Sequence, residues 1–420
     1  LPKLSCPEQQ QGEKMSAYDP IKAMYEVRRE FGEHGGVTPS IARSSTFTVL
    51  DPGIMPEIFE GLRGPDKGGC FLYSRHFNPT VDVLSRYLAA MEGTEAAVCT
   101  ASGMSAISST LLQICRQGDE IIASHTIYGG SYALLETLLP GMGISTTFVN
   151  PTDLNAFKKA ITPKTKVFYV EAMANPTLAV ANLPALADLA HENGIKLVVD
   201  NTFTPLMISP MKLGADVVVH SLTKFINGAS DIIGGAICGT NEFILELMDL
   251  HKGRVMLLGP TMDPRAAFDI IQRLPHLGIR VKEHSKRALA MAKHLKGLSA
   301  PVYYPGLEDH PQHQLLQSMI NPEFGFGGIL ALDCGTTLCA ERVLAILQNQ
   351  ERFGLIAVSL GYYDTLISCS GSSTSSEIPP EDQTSMGLSP GLVRISVGYT
   401  GRLEGQIISL EKAVKAAGVI

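Results

Sequence analysis

The chain has 420 residues, 45% hydrophobic and 18% charged, the proportions of a globular protein, which exclude a disordered chain or a small disulfide-stapled fold. Its 34 Lys and Arg against 41 Asp and Glu give a net charge of −7 with no basic run, a pattern that excludes tracking of a nucleic-acid backbone. The eight cysteines are scattered without a Cys-x-x-Cys pair, so they read as free thiols of a reducing compartment and offer no metal site. No apolar run approaches the roughly 20 residues of a membrane span. Residues 1–20 carry neither a secretory core nor an Arg-rich import pattern, and the expected location is cytoplasmic.

Through residue 75 the chain is rich in Gly and Pro and weak in periodicity, which predicts an extended N-terminal arm, residues 1–75. From there apolar runs alternate with amphipathic ones, the pattern of a sheet with helices on its faces. AAVCTA (96–101), DEIIAS (119–124), ISTTFVN (144–150), KVFYVEA (166–172), KLVVDN (196–201), ADVVVHS (215–221) and GGAICG (234–239) are nearly continuous apolar runs, as strands buried on both faces must be. Helices are predicted between them at 103–116, 131–139, 153–161 and 183–193, the last opened by Asn182 and closed by Gly194. Residues 76–262 therefore read as an α/β domain around a seven-stranded, mostly parallel sheet. Beyond it come a long helical stretch (264–297), the strand-like runs GFGGILALDC, IAVSL and LVRISVGY, and a closing helix over 402–417. These make a smaller α+β domain, residues 263–420, interrupted by a Gly/Ser/Thr-rich loop at 368–387.

Ligands of open parallel sheets sit beyond the carboxyl ends of the strands, so polar residues there come first. KLVVD ends on Asp200, and DVVVHSLTK runs into Ser221, Thr223 and Lys224. Alone, each fits a turn, a cap or a solvated loop. Together they meet the needs of chemistry on an aldehyde cofactor. Such chemistry takes a lysine whose ammonium is destabilised, so that the neutral amine attacks. It also takes a carboxylate beside a ring nitrogen, which keeps that nitrogen protonated and the ring electron-withdrawing.

Ser102, Gly103 and Met104 open a helix after the first strand and aim N–H groups and a helix dipole at an anion, although Ser102 equally reads as an N-cap. Tyr128 leaves the second strand, placed either to stack on a flat ring and act on a leaving group or simply to pack half-buried. Arg394, a charge inside the apolar LVRISVG run, needs a partner, and a substrate carboxylate pairs it bidentately. Ser221-Leu222-Thr223-Lys224 also fits the Ser-x-x-Lys pattern of acyl-transfer enzymes. Its companions Ser-Asp-Asn and Lys-Thr-Gly are absent, and here it follows a strand instead of opening a helix. No nucleotide-binding glycine loop follows the first strands. A non-catalytic α/β scaffold is the alternative of a different class.

Assembled, these residues make the chain resemble the pyridoxal-phosphate enzymes of cysteine and methionine metabolism, the group of cystathionine lyases and synthases and methionine gamma-lyase. The resemblance runs from about residue 30 to the end through YSRHFNPT (73–80), ASGMSAI (101–107), IYGG (127–130), EAMANPT (171–177), VVDNTF (198–203), HSLTKFINGASDIIGG (220–235), VSLG (358–361) and VRISVGY (393–399). It implies the aspartate-aminotransferase-like fold type I, with pyridoxal phosphate as cofactor and a small amino acid as substrate. Lys224 matches the Schiff-base lysine and Asp200 the partner of the pyridine nitrogen. Ser102, Gly103, Met104, Ser221 and Thr223 match the phosphate site, Tyr128 the stacking tyrosine and Asn175 the neighbour of the ring hydroxyl. Tyr73 and Arg75 match a pair that reaches the phosphate of an adjoining protomer, which implies a homodimer with shared sites and commonly a tetramer. Ser359, Arg394 and Thr374 match the substrate site.

Departures from the family bear on the substrate. Members that handle cystathionine carry an Arg a few residues beyond the stacking tyrosine, where this chain has Ala133, so an uncharged side chain such as that of methionine or an O-acyl-homoserine fits better. RHFNPT, LGPTMDP and SLGYYDTLISCSGSSTSS are similar to the plant-type methionine gamma-lyases of the family. Gly130 stands where many microbial methionine gamma-lyases have Cys, and Ser375 where His is common. The expected reaction is gamma-elimination of methionine, with Lys224 as base and Tyr128 protonating the departing thiol. Gamma-replacement on O-acyl-homoserine and a cystathionine gamma-lyase activity are the alternatives.

Overall fold

The computed structural model describes residues 18–27, 35–59, 62–64, 70–369 and 388–420, so Thr374, Ser375 and most of the 368–387 loop lie outside the described residues. The seven apolar runs form β1 (Ala96–Thr100), β2 (Glu120–Ser124), β3 (Ser145–Val149), β4 (Thr165–Glu171), β5 (Lys196–Asp200), β6 (Val217–Ser221) and β7 (Gly235–Gly239). They make one sheet of order β1-β7-β6-β5-β4-β2-β3. Only β7 runs against its neighbours, β1 and β6, so the carboxyl ends of all the other strands share one edge. Helices cover both faces: Val198, Val199, Val217, Val218 and Val219 are each at most 1% exposed, which is why these strands read as unbroken apolar runs.

A helix that the sequence pattern did not bring out spans Pro79–Glu92. Asn78 accepts from the N–H groups of Thr80 and Val81, Pro79 supplies the first turn, and Gly93 closes the helix at φ 70°. Its last residue is buried. Glu92 Oε1 meets His220 Nε2 at 2.7 Å and accepts from Asn201 Nδ2 at 3.1 Å, which ties the helix to the ends of β5 and β6. In the segment read as an extended arm, Pro20–Val27 is helical and packs on Pro79–Glu92.

The C-terminal part carries a second sheet of β8 (Val302–Tyr303), β9 (Ile329–Asp333), β10 (Leu355–Ile356), β11 (Leu366–Cys369) and β12 (Leu392–Ser396), in the order β10-β11-β12-β9-β8. The long helical stretch is two helices, Pro264–Arg273 and Leu277–Gly297, interrupted around Pro275 because proline cannot donate to the preceding turn. The run IAVSL forms a strand only at its start, since the backbone at Ser359 turns left-handed (φ 84°) and carries the chain toward Lys224. The architecture is α/β, with a seven-stranded mostly parallel sheet joined to a smaller α+β unit.

Candidate active site

The shared strand edge gathers most of the residues singled out above. Lys224 follows β6, half-buried, and its Nζ donates to Ser359 Oγ at 2.9 Å. Burial, and then the guanidinium of Arg394, pull the Lys224 ammonium down to about 8, so a sizeable share of the amine is neutral near physiological pH. Arg394 on β12 is 1% exposed; its Nη2 donates to the Ser359 carbonyl at 2.6 Å and its Nη1 to Asn175 Oδ1 at 3.2 Å. Its Nε is buried without a partner, and no carboxylate balances its charge among the described residues. Burial pulls the guanidinium down to about 10, so an anion brought beside it would relieve the cost of holding that charge.

Asp200 and Glu171 end adjacent parallel strands in register and are each 8% exposed. The Thr202 N–H donates to Asp200 Oδ1 at 2.9 Å, and Tyr169 Oη to its other oxygen at 3.5 Å. Burial holds both carboxyls above the ordinary carboxylate range, Glu171 further through the neighbouring Asp200. Both Glu171 oxygens are taken by backbone N–H groups, so Asp200, with no Lys or Arg paired to it among the described residues, is the carboxyl that suits a bound cation such as a protonated ring nitrogen.

The candidate anion site lies across the sheet edge. Ser102 caps the helix Gly103–Ile114: its Oγ accepts from the Ser105 N–H at 3.1 Å, and its own N–H donates to Ser105 Oγ at 3.0 Å. The hydroxyl of Ser102 is thereby committed to the cap, which leaves the N–H groups of Gly103 and Met104 to face a ligand. Gly103 sits against β6 so closely that a Cβ would come 2.7 Å from Ser221 Cβ and 2.9 Å from its Cα. Ser221 is fixed by its N–H on Thr202 Oγ1 at 2.7 Å, and Thr223 Oγ1 accepts from the Gly234 N–H at 3.1 Å. Gly103→Ala should therefore push the helix start off β6. We expect cofactor affinity, titrated by visible absorbance, to fall at least about tenfold, with about 1–3 kcal/mol lost from apoprotein stability in a thermal melt. Wild-type affinity in this variant would show that the cradle is looser than its packing implies.

Tyr128 opens the short helix Gly129–Ala133 and is 42% exposed, with its N–H donating to Glu171 Oε1 at 2.6 Å. The absence of a side chain at Gly130 has a local reason, because a Cβ there would meet Tyr128 Cε1 at 2.6 Å and Met104 Sδ at 3.3 Å. Tyr73 and Arg75 stand apart from this cluster. The guanidinium of Arg75 lies 5.8 Å from the Tyr73 ring centroid and donates to the Met256 carbonyl at 2.7 Å, and among the described residues no hydrogen bond joins the pair to Lys224 or Asp200. Sequence reasoning gave no role to Glu171 or Thr202. For Glu171 a signal was available, since it ends β4 as Asp200 ends β5; for Thr202 there was none.

The residues present thus fit pyridoxal phosphate: N–H groups at a helix start for a phosphate, the buried carboxyl of Asp200 for a ring cation, and an amine of lowered basicity for an aldehyde. Comparison with known proteins agrees. The family described as "Cys/Met metabolism PLP-dependent enzyme" matches residues 22–412. The methionine gamma-lyase of Arabidopsis thaliana is 54% identical over 397 residues, covering 94% of this chain and 90% of that protein. The O-succinylhomoserine sulfhydrylase of Pseudomonas aeruginosa is 37% identical over 78% of this chain and 79% of its own. A solved structure of a putative O-acetylhomoserine (thiol)-lyase from Campylobacter jejuni, bearing a pyridoxyl-lysine monophosphate, superposes with TM-score 0.87 at 25% identity, covering 95% of this chain and all of that one. The chain belongs to the pyridoxal-phosphate-dependent enzymes of cysteine and methionine metabolism, and pyridoxal phosphate is its cofactor.

Proposed function

We propose that the chain catalyses gamma-elimination of L-methionine, with water, to methanethiol, 2-oxobutanoate and ammonia. The observation that carries this reading is the 54% identity to a methionine gamma-lyase over 94% of the chain. The side chains support it: Arg394 offers one buried anchor for one carboxylate, and Ala133 offers no second charge for a distal one. Gamma-replacement on an O-acyl-homoserine, favoured by the likeness to a sulfhydrylase, is the second reading.

Bound pyridoxal phosphate supplies an electron sink for charge that develops on the substrate carbons. Gly103 and Met104 N–H groups, with Ser221 and Thr223, would hold the phosphate, and Asp200 would keep the ring nitrogen protonated. Asn175 would hold the ring hydroxyl. Arg394 and Ser359 would fix the substrate carboxylate and so orient Cα toward Lys224. Lys224, as neutral amine, takes the proton from Cα and then moves protons at Cβ. Tyr128 gives a proton to the departing sulfur as the C–S bond breaks, and water completes the release of 2-oxobutanoate and ammonia.

Parallel incubations with methionine, O-acetylhomoserine and cystathionine, with thiol and 2-oxobutanoate quantified, test the reading. Methionine should yield equal amounts of both. A new amino acid from O-acetylhomoserine plus a thiol, with none released from methionine, would favour replacement instead. Tyr128→Phe should lower kcat for thiol release about 10²- to 10⁴-fold, the usual worth of a positioned proton donor. Exchange of the Cα proton in D2O, followed by NMR, should continue, because Lys224 is intact; its loss in step with thiol release would remove Tyr128 from the leaving-group role.

With this activity we propose a homodimer, and a tetramer built from it, in which exposed Tyr73 and neighbouring Arg75 complete the partner's phosphate site. A cytoplasmic location is proposed with it, supported by the free thiols of Cys70, Cys99, Cys115, Cys238, Cys334 and Cys339. No helix among the described residues is long and apolar enough to cross a membrane.

A further inference from the structure

Glu171 has no part in the chemistry assigned above, yet it is buried beside another carboxyl, an arrangement that costs free energy unless its oxygens are well used. Both are used on backbone. Oε1 accepts the N–H of Tyr128 at 2.6 Å and Oε2 accepts the N–H of Asn175 at 3.0 Å. The first of these bonds spans 43 residues of sequence and joins the segment leaving β2 to the end of β4, and the second adds the segment that leaves β4. From Asn175 the connection continues: its Oδ1 accepts from Arg394 Nη1 at 3.2 Å, Arg394 Nη2 donates to the Ser359 carbonyl at 2.6 Å, and Ser359 Oγ accepts from Lys224 Nζ at 2.9 Å. An unbroken polar path thus runs from Tyr128 to Lys224, and Glu171 is its only member that bonds two backbone segments at once.

We infer that Glu171 is a positioning residue whose carboxylate straps the backbone of Tyr128 to that of Asn175, fixing Tyr128 relative to the Arg394 anchor. Burial and Asp200 disfavour the charged form of this carboxyl, its two backbone N–H bonds favour it, and with both oxygens accepting at a fixed divergence the strap holds distance and orientation together. Its effect falls on the step that needs Tyr128 over the sulfur. Lys224, held by Ser359 at the other end of the path, keeps its reach to Cα. The kinetic consequence rests on the methionine reading, whereas the strap itself does not.

The test uses holoenzyme of wild type and Glu171→Gln. The glutamine has nearly the same shape but keeps only one acceptor oxygen, so one of the two N–H groups loses its partner. Cofactor content by visible absorbance should be unchanged, and KM for methionine should stay within about threefold, since ground-state binding is not what is lost. The kcat for thiol release should fall about 10- to 100-fold, the order expected from displacing a reacting group by up to an ångström. Cα-proton exchange in D2O should remain within about threefold of wild type. Amide hydrogen exchange provides a measurement independent of activity: the N–H groups of Tyr128 and Asn175 should be protected in wild type, and at least one should exchange about tenfold faster in the variant. If methionine is not a substrate but the amide result holds, the strap stands and the methionine reading falls. Unprotected amides in wild type, an unchanged kcat on the true substrate, or a loss shared equally by cofactor content or Cα exchange would overturn the inference.

Discussion

Replacing Lys224 by Ala is expected to lower methionine turnover by at least about 10⁴-fold, because one side chain both secures the cofactor and moves the protons, and a single positioned base is worth roughly 10²–10⁴. The charge state of the amine gives a second, sharper expectation. A lysine pulled down to about 8 is mostly ammonium at pH 6 and mostly amine at pH 9. Uptake of an aldehyde by the apoprotein needs the neutral form, so its rate should climb as pH rises through about 8 and level off above it. A climb that continues to the ordinary lysine range near 10.4 would show that neither burial nor Arg394 acts on this amine.

The same substitution reports on how sites are shared. In a hybrid dimer of one Lys224→Ala chain with one Arg75→Ala chain, a site built from both protomers carries both lesions on one side and none on the other. Random mixing makes half the dimers hybrid, and co-expression should restore about a quarter of wild-type activity, in proportion to intact sites. Activity no greater than the sum of the two variants would place Arg75 in the service of its own chain.

The seven strands of the large sheet were legible to within two residues because burial on both faces leaves no polar alternation to blur their ends. Lys224, Asp200 and the Ser102–Met104 turn were legible for a related reason: each is a polar break at the end of an apolar run, where parallel topology puts ligands. The helix Pro79–Glu92 carried its own signals in Asn78, Pro79 and Gly93, but those residues also belong to a motif read for chemistry. β8 and β11 escaped because two to four residues give too little periodicity to separate a strand from a loop. Glu171 was visible as a residue and not as a role. Its meaning comes from the cross-strand register with Asp200 and from a backbone N–H in a distant segment, both of which exist only once the sheet is built. Ser102 shows the converse: the cap is what its hydroxyl does, and the proposed phosphate role passes to the amides of the turn that it opens.

Arg394→Leu should separate function from stability in opposite directions. In the free protein this guanidinium is 1% exposed, bonded to one carbonyl and one amide oxygen, with Nε unpartnered. A cation whose folded-state value is pulled below its unfolded one is held charged at a cost throughout the pH range below about 10. Leucine removes that cost, so the apoprotein should melt at a higher temperature across neutral pH. The substrate then meets a site where its carboxylate has lost a buried, doubly hydrogen-bonded partner, a change that typically costs about 2–5 kcal/mol or roughly 30- to 4000-fold in kcat/KM. Arg394→Lys should recover little of this, since an ammonium reproduces the charge but not the planar fork. Loss of the neighbouring positive charge should also move the pH midpoint of aldehyde uptake by Lys224 upward, because Arg394 is one of the two forces holding it down. A variant that keeps its KM for methionine and its Lys224 midpoint would show that Arg394 is a structural charge, satisfied within the chain and indifferent to the substrate.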